Sequence, residues 1–165
     1  MRIEDSVVAV TGGASGLGEA VARRCIDEGA AGVAIIDVNA DAATSLASEL
    51  GERALAVPCD VRQPNNVTQA MSTVAEKFGH LNLAVSCAGV GWAERTLAKD
   101  GSPADLDAYR RIIEINLIGT YDFARQAASL MAKNEPNTSG ERGAIVMTAS
   151  LAAFDGQIGQ SAYSA

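Results

Sequence analysis

Histidine is nearly absent from this 165-residue chain: the one copy, His80, sits in "KFGHLN" with no further metal-ligating side chain spaced to join it. A histidine-based metal centre therefore has no ligand set, and a surface loop position is the plainer reading. Cysteine is scarce as well. Cys25, Cys59 and Cys87 are odd in number and far apart, which excludes a disulfide framework and a CxxC zinc pattern and leaves three buried thiols as the expectation. Positive charge is in deficit, with 13 Lys and Arg against 20 Asp and Glu and a net charge of −7. A non-specific grip on nucleic acid or anionic lipid needs the opposite balance. No apolar run reaches the length of a membrane span, and "MRIEDSVVAV" is too short and too acidic for a signal peptide. The expectation is a cytoplasmic protein acting on a small molecule, with neither nucleic acid nor membrane as partner.

What the chain does have is apolar content, 48% of its residues, enough for one globular domain over residues 1–165. Five short apolar runs alternate with helical patterns: "SVVAVTG", "GVAIIDV", "ALAVPCDV", "LNLAVSCAG" and "AIVMTAS". Alternation of that kind predicts parallel βαβ units, and runs this continuous in Val, Ile, Leu and Ala predict strands covered on both faces. The fold class is α/β, a doubly wound parallel sheet with five strands present. Between the third and fourth runs, Val67, Ala70, Met71, Val74 and Phe78 recur at helical spacing over residues 64–78, one buried stripe. A longer helix is predicted from about Pro103 to Lys133, with Leu106, Tyr109, Ile112, Ile113, Leu117, Phe123 and Leu130 inward. The loop "KNEPNTSGERG" ends it. Its Asn137-Thr138-Ser139 triplet has the glycosylation pattern and reads as solvated loop.

Ligands of open parallel sheets bind beyond the carboxyl ends of the strands. Those ends carry "TGGASGLG" after the first run, Asp37 on the second, Cys59-Asp60-Val61 on the third, Ser86-Cys87-Ala88-Gly89 on the fourth and Thr148-Ala149-Ser150 on the fifth. The stretch Thr11 to Gly18 places glycines 12, 13, 16 and 18 between a strand and a helix. Backbone amides approach a diphosphate closely only where side chains are missing, and a helix N-terminus favours the negative charge. An ordinary strand-to-helix turn uses glycine too. Asp37 shifts the balance toward a dinucleotide, because a carboxylate there can accept from both adenosine ribose hydroxyls and repels a 2′-phosphate. NAD is favoured over NADP, although a simple loop carboxylate remains the bland alternative. Asn116, within "RRIIEINLIGTYDF", is either a satisfied core amide or a helix kink that organises a hydrogen-bond chain. Ser150 and Tyr163, separated by "LAAFDGQIGQSA", could polarise a substrate oxygen and carry its proton. Either residue taken alone is more often structural.

Taken together, these motifs resemble the short-chain dehydrogenase/reductase family along the whole chain: TGxxxGxG at Thr11 to Gly18, Asp37, Asp60-Val61, an "NAG"-like element, Asn116, Ser150, and Tyr163 thirteen residues after it. Within the family, "TGGASGLG", "CAG", "NEP", "TAS" and "AAFDGQIGQSAYSA" look like the type II 3-hydroxyacyl-CoA dehydrogenase branch. The resemblance implies that Gly12, Ser15, Gly16, Leu17 and Gly18 meet the cofactor, that Asp37 holds the adenosine ribose, and that Asp60 and Val61 border the adenine. Cys87 stands where the wider family has Asn, followed by Ala88 and Gly89 at the cofactor. Ser150 would orient the substrate oxygen, Tyr163 would be the general acid or base, Asn116 would support a water relay, and Gln157 and Gln160 would line the substrate side.

A free phenol ionises near pH 10 and needs adjacent positive charge to act as a base at neutral pH. The family supplies that charge with a lysine four residues after the tyrosine, a position past Ala165, and no Lys or Arg follows Arg142. The expectation is a Rossmann-type fold cut through its site, with the last part missing and an exposed edge that makes the product association-prone. Three functions are carried forward: NAD-dependent oxidation of a secondary alcohol such as a 3-hydroxyacyl-CoA, with a homo-oligomeric full-length form; a non-catalytic NAD-binding fragment; and an NADPH-dependent 3-oxoacyl reductase, which Asp37 disfavours.

Overall fold

Every residue of β1 (Val7–Thr11) is buried, as a strand with both faces covered requires. Its neighbours are β2 (Gly32–Asp37) and β4 (Leu83–Ser86), both parallel to it, and β3 (Ala54–Pro58) and β5 (Ala144–Met147) complete a sheet of order β3-β2-β1-β4-β5. The computed structural model describes residues 1–165. It has the α/β, doubly wound Rossmann-type architecture read from the alternating runs.

Alternate residues of the central strands feed two cores. Val8, Val10, Val33 and Ile35 pack beneath α1 (Gly16–Asp27) and α2 (Ala40–Leu50), together with Ala22, Ile26 and Leu46. Val7, Ala9, Ala34 and Ile36 face α3 (Pro64–Phe78) and α5 (Thr120–Met131), where Val67, Met71, Val74, Phe123 and Met131 complete the other core. The α3 span matches the predicted stripe, because Pro64 opens its first turn and Gly79, left-handed at φ 81°, ends it. The third apolar run leaves the sheet earlier than its composition suggests. After Pro58, the Asp60 carboxylate accepts the Arg62 amide at 3.0 Å, a local turn that stops further pairing.

The long helix is where the spacing misled. It comprises α4 (Leu106–Ile113), a π-helical turn at Glu114–Gly119, and α5. Ile112 and Phe123 are buried as predicted, but Leu106, Tyr109 and Leu117 are exposed. A π turn takes more residues per revolution than a 3.6-residue helix, so a stripe counted at constant period drifts across it. Further, the partner against which α4 packs is α6 (Ser161–Ser164), not the sheet. Strand β5 pairs with β4 alone, and its Val146 and Met147 are 52% and 56% exposed, so it forms an edge with an apolar face open to solvent. No helix is long and apolar enough to cross a membrane.

Phe123 is 1% exposed at the centre of the α3–α5 core. Its replacement by alanine leaves a cavity the sheet cannot close, and the expected loss is about 3–5 kcal/mol in denaturant unfolding. A loss below about 1 kcal/mol would mean this core is not packed as described.

Candidate active site

Strand order reverses between β1 and β4, the location at which sheets of this type open a crevice. The chain leaving β1 turns at Gly12, whose φ is 62° and whose missing Cβ would lie 2.7 Å from the Ala88 backbone nitrogen. Only glycine lets the turn lie flat against the exit of β4. Gly16 has φ 53° and open space where its Cβ would project, so the outer surface of the turn at the start of α1 is bare backbone. Asp37 fixes the turn from the opposite side. Its Oδ2 accepts the Ala14 amide at 3.0 Å and its Oδ1 accepts the Asn39 amide at 2.9 Å.

These elements enclose a cleft of about 450 Å³. Its walls are Gly12, Ser15, Gly16, Leu17 and Gly18 from the turn, Asp37 from β2, Asp60 and Val61 beyond β3, and Cys87, Ala88 and Gly89 beyond β4. A second pocket of about 440 Å³ shares Leu17 and residues 87–90 with the first, and is lined on its far side by Asn116, Thr120, Thr148, Ser150 and Tyr163. Asn116 lies in the π turn. Its Oδ1 accepts the Val90 amide and its Nδ2 donates to the Val90 carbonyl, each at 2.9 Å. Its amide is therefore satisfied, and it stands at the helix irregularity, where it fixes the strand exit between the pockets. Ser150 precedes the 3₁₀ turn Leu151–Ala153, and its Oγ accepts the Ala152 amide at 3.2 Å, leaving its O–H free to donate. Tyr163 is half-buried on α6, and its hydroxyl makes no hydrogen bond within the chain. Gln157 is exposed and Gln160 flanks the start of α6; neither lines the cleft or the second pocket.

The site fits a dinucleotide in three respects. Bare backbone at a helix start suits a diphosphate, the Asp37 carboxylate retains lone pairs beyond the two amides it accepts, and a polar pocket adjoins the cleft. The sequence model of the "short chain dehydrogenase" family matches residues 6–165. The chain belongs to this family. It is 47% identical over 164 residues to the 3-hydroxyacyl-CoA dehydrogenase type-2 of Drosophila melanogaster, an alignment covering 99% of this chain and 64% of the relative. Identity to the Homo sapiens protein of the same name is 40% over 164 residues, covering 99% and 62%. The crystal structure of 3-hydroxyacyl-CoA dehydrogenase type-2 from Mycobacterium avium superposes with a TM-score of 0.91 at 42% identity, covering 99% of this chain and 65% of that one. The chain thus spans less than two thirds of the length of these relatives.

For a short-chain dehydrogenase, the cleft carries charge that the sequence reading passed over: Arg62 and Arg111 also line it. Arg62 is committed to Asp60, with its Nε 3.0 Å from the carboxylate. That guanidinium holds the Asp60 carboxyl below its ordinary range, with Arg111 adding a smaller pull. Arg111 lies one helical turn before Ile115, which lines the cleft as well, and that spacing was the available signal. Cys59 is buried, and burial followed by the nearby Asp60 and Asp122 pushes its thiol up to about 11. Cys87, expected to be buried, is half-exposed between the two pockets, its sulfur 3.7 Å from the Thr148 hydroxyl. Beneath the site, the Ala88 amide donates to the Thr11 hydroxyl at 3.3 Å, Thr11 to Ser86 at 3.4 Å, and Ser86 to Thr120 at 3.3 Å.

Two outcomes follow from this geometry. Gly12→Ala places a methyl group against the Ala88 backbone in a left-handed conformation, and should weaken binding of a nicotinamide dinucleotide at least about ten-fold in a fluorescence titration. Affinity within about two-fold of the unmodified chain would show that the turn does not form the cradle. Arg62→Ala removes the cation that depresses Asp60. The stabilisation from this pair is full above the unfolded carboxylate value near 4 and is lost as pH falls through the lowered folded value. In the variant, NMR titration should find the Asp60 carboxyl returned toward that ordinary value, and an unmoved titration would refute the pairing.

Proposed function

We propose that this chain carries the cofactor cleft and acid–base residues of an NAD-dependent dehydrogenase that oxidises the hydroxyl of a 3-hydroxyacyl-CoA to a ketone. The observation that carries this reading is the common wall, in which Leu17 and residues 87–90 border both the cleft above the glycine turn and the pocket holding Ser150 and Tyr163. A group bound across that wall has its reacting carbon beside a serine and a phenol. The names of the fly and human relatives supply the substrate class.

NAD, when bound, supplies the acceptor for a hydride. Residues 12–18 and Asp37 would hold its diphosphate and adenosine ribose, with Asp60 and Val61 at the adenine and Ala88 and Gly89 beside the nicotinamide end. The Ser150 O–H donates to the substrate oxygen. Given an adjacent positive charge to favour its deprotonated form, the Tyr163 oxygen would take the hydroxyl proton as the C–H bond gives up its electron pair as a hydride and the C=O bond forms. Asn116 keeps the exit of β4 in place through Val90 and supports a water relay away from Tyr163. Gln157 and Gln160 belong to this reading only if the segment before α6 closes over substrate. The apolar residues exposed on α4 and α5, Leu106 and Tyr121 among them, support a homo-oligomer, and a cytoplasmic location completes the reading.

One observation favours a second reading, the NADPH-dependent reductase, because two arginines line the cleft. Against it, Arg62 is already paired with Asp60, and a 2′-phosphate would face the Asp37 carboxylate. The test uses the full-length protein with a 3-hydroxyacyl-CoA, following absorbance of the reduced cofactor. Turnover should be at least about ten-fold better with NAD⁺ than with NADP⁺, and Tyr163→Phe should lower it at least about 100-fold while NADH affinity stays within about two-fold. Preference for NADP⁺, or turnover that survives Tyr163→Phe, would overturn the proposal. NADH binding with no turnover would leave the non-catalytic reading in its place.

A further inference from the structure

Apart from local bonds to the adjoining Ser150, residues 151–165, which include Tyr163, are joined to the rest of the chain by a single hydrogen bond. The Glu94 amide donates to the Gly159 carbonyl at 2.7 Å, whereas the remaining backbone bonds of the segment, such as Asp155 to Leu151 and Ser164 to Gln160, are local. The short helix α6 rests on α4 through packing, and Ala152 and Ala162 are the buried residues of the segment. The position of that one donor therefore matters.

Glu94 is unusual in its own surroundings. From residue 89 to residue 103 every side chain is exposed except that of Glu94, which is half-buried. Its carboxylate spans two separate elements: Oε2 accepts the Trp92 indole N–H at 3.2 Å, and Oε1 accepts the Asp105 amide at 3.3 Å, at the residue that caps α4. Gly159 fits closely against it, with φ 82° and a missing Cβ 3.4 Å from the Glu94 nitrogen. Side chain and backbone of one residue thus connect the excursion after β4, the start of α4, and the loop leading into Tyr163. Residue 94 lines neither the cleft nor the second pocket.

We infer that Glu94 is a positioning residue: it braces the 155–160 segment so that Tyr163 stands at the wall shared with the cofactor cleft. The inference rests on the proposed function for its catalytic consequence and on the hydrogen-bond pattern alone for its structural one. The two can fail separately. Glu94→Ala releases Trp92 and Asp105 and frees the backbone donor to wander. Glu94→Pro deletes the N–H outright. Glu94→Gln keeps one acceptor oxygen and should fall between the unmodified chain and the alanine variant.

Amide hydrogen exchange on the 165-residue chain reads the structural part. Glu94→Ala and Glu94→Pro should speed exchange of residues 155–165 at least about five-fold, the equivalent of one lost net hydrogen bond, with the glycine turn unchanged. If the proline variant does not fold, the alanine and glutamine variants decide. In the full-length protein, Glu94→Ala should lower kcat about ten-fold and leave NADH affinity within about two-fold. Unaltered exchange at 155–165, or acceleration spread equally over the glycine turn, overturns the brace. Faster local exchange with unchanged kcat overturns its role in placing Tyr163. Faster local exchange in a protein whose unmodified form has no turnover upholds the brace and sinks the proposed function.

Discussion

The Asp37 carboxylate is the constraint on which the cleft depends. It accepts one amide from the glycine turn and one from the chain leaving its own strand, so β2 dictates where the turn after β1 lies. From the other side, Gly12 seats the same turn against Ala88 at the end of β4. A backbone with no side chains to pack would otherwise sample many conformations. Contacts from two strands, including the Gly13 amide on the Ile36 carbonyl at 3.2 Å, hold it in place and leave the face at Gly16 bare. A carboxylate has about four acceptor positions, so the two amides leave room for ribose hydroxyls, and the group that shapes the turn is also equipped to recognise what the turn binds.

A second constraint acts on the opposite wall. Asn116, at a π turn, grips both polar groups of Val90, and the hydroxyls of Thr11, Ser86 and Thr120 link the floor of the cleft to α5. The shared wall between cleft and pocket is therefore tied to β1, to β4 and to the long helix together. These ties contrast with the approach to Tyr163, which packing and the Glu94 amide secure.

Much of this was legible in the sequence because it depends on local chemistry. Continuous apolar runs marked the strands, since a strand covered on both faces has no polar side to betray it. The Val67–Phe78 stripe marked α3, and the glycines with Asp37 marked the cleft because few other residues satisfy its geometry. What stayed hidden depends on irregularity or on distance. The π turn at Glu114–Gly119 displaced the helical stripe and turned Leu117 outward. Arg62 could be read only as one more basic residue until its pairing with Asp60 was seen, and Glu94 gave no sign that it would meet Gly159. Spacing along the chain carries no information about a bond between two surface excursions.

The central claim is that the turn after β1 and the Asp37 carboxylate together receive the diphosphate and ribose of NAD. The most direct measurement is an ¹H–¹⁵N spectrum of the chain titrated with NADH. The account predicts that the amides of Ala14, Gly16 and Ala88 shift together, saturably and with one dissociation constant, while those of β5 stay in place. A titration in which Ala14 and Gly16 do not move, or in which Asp37→Ala leaves the response unchanged, would contradict it.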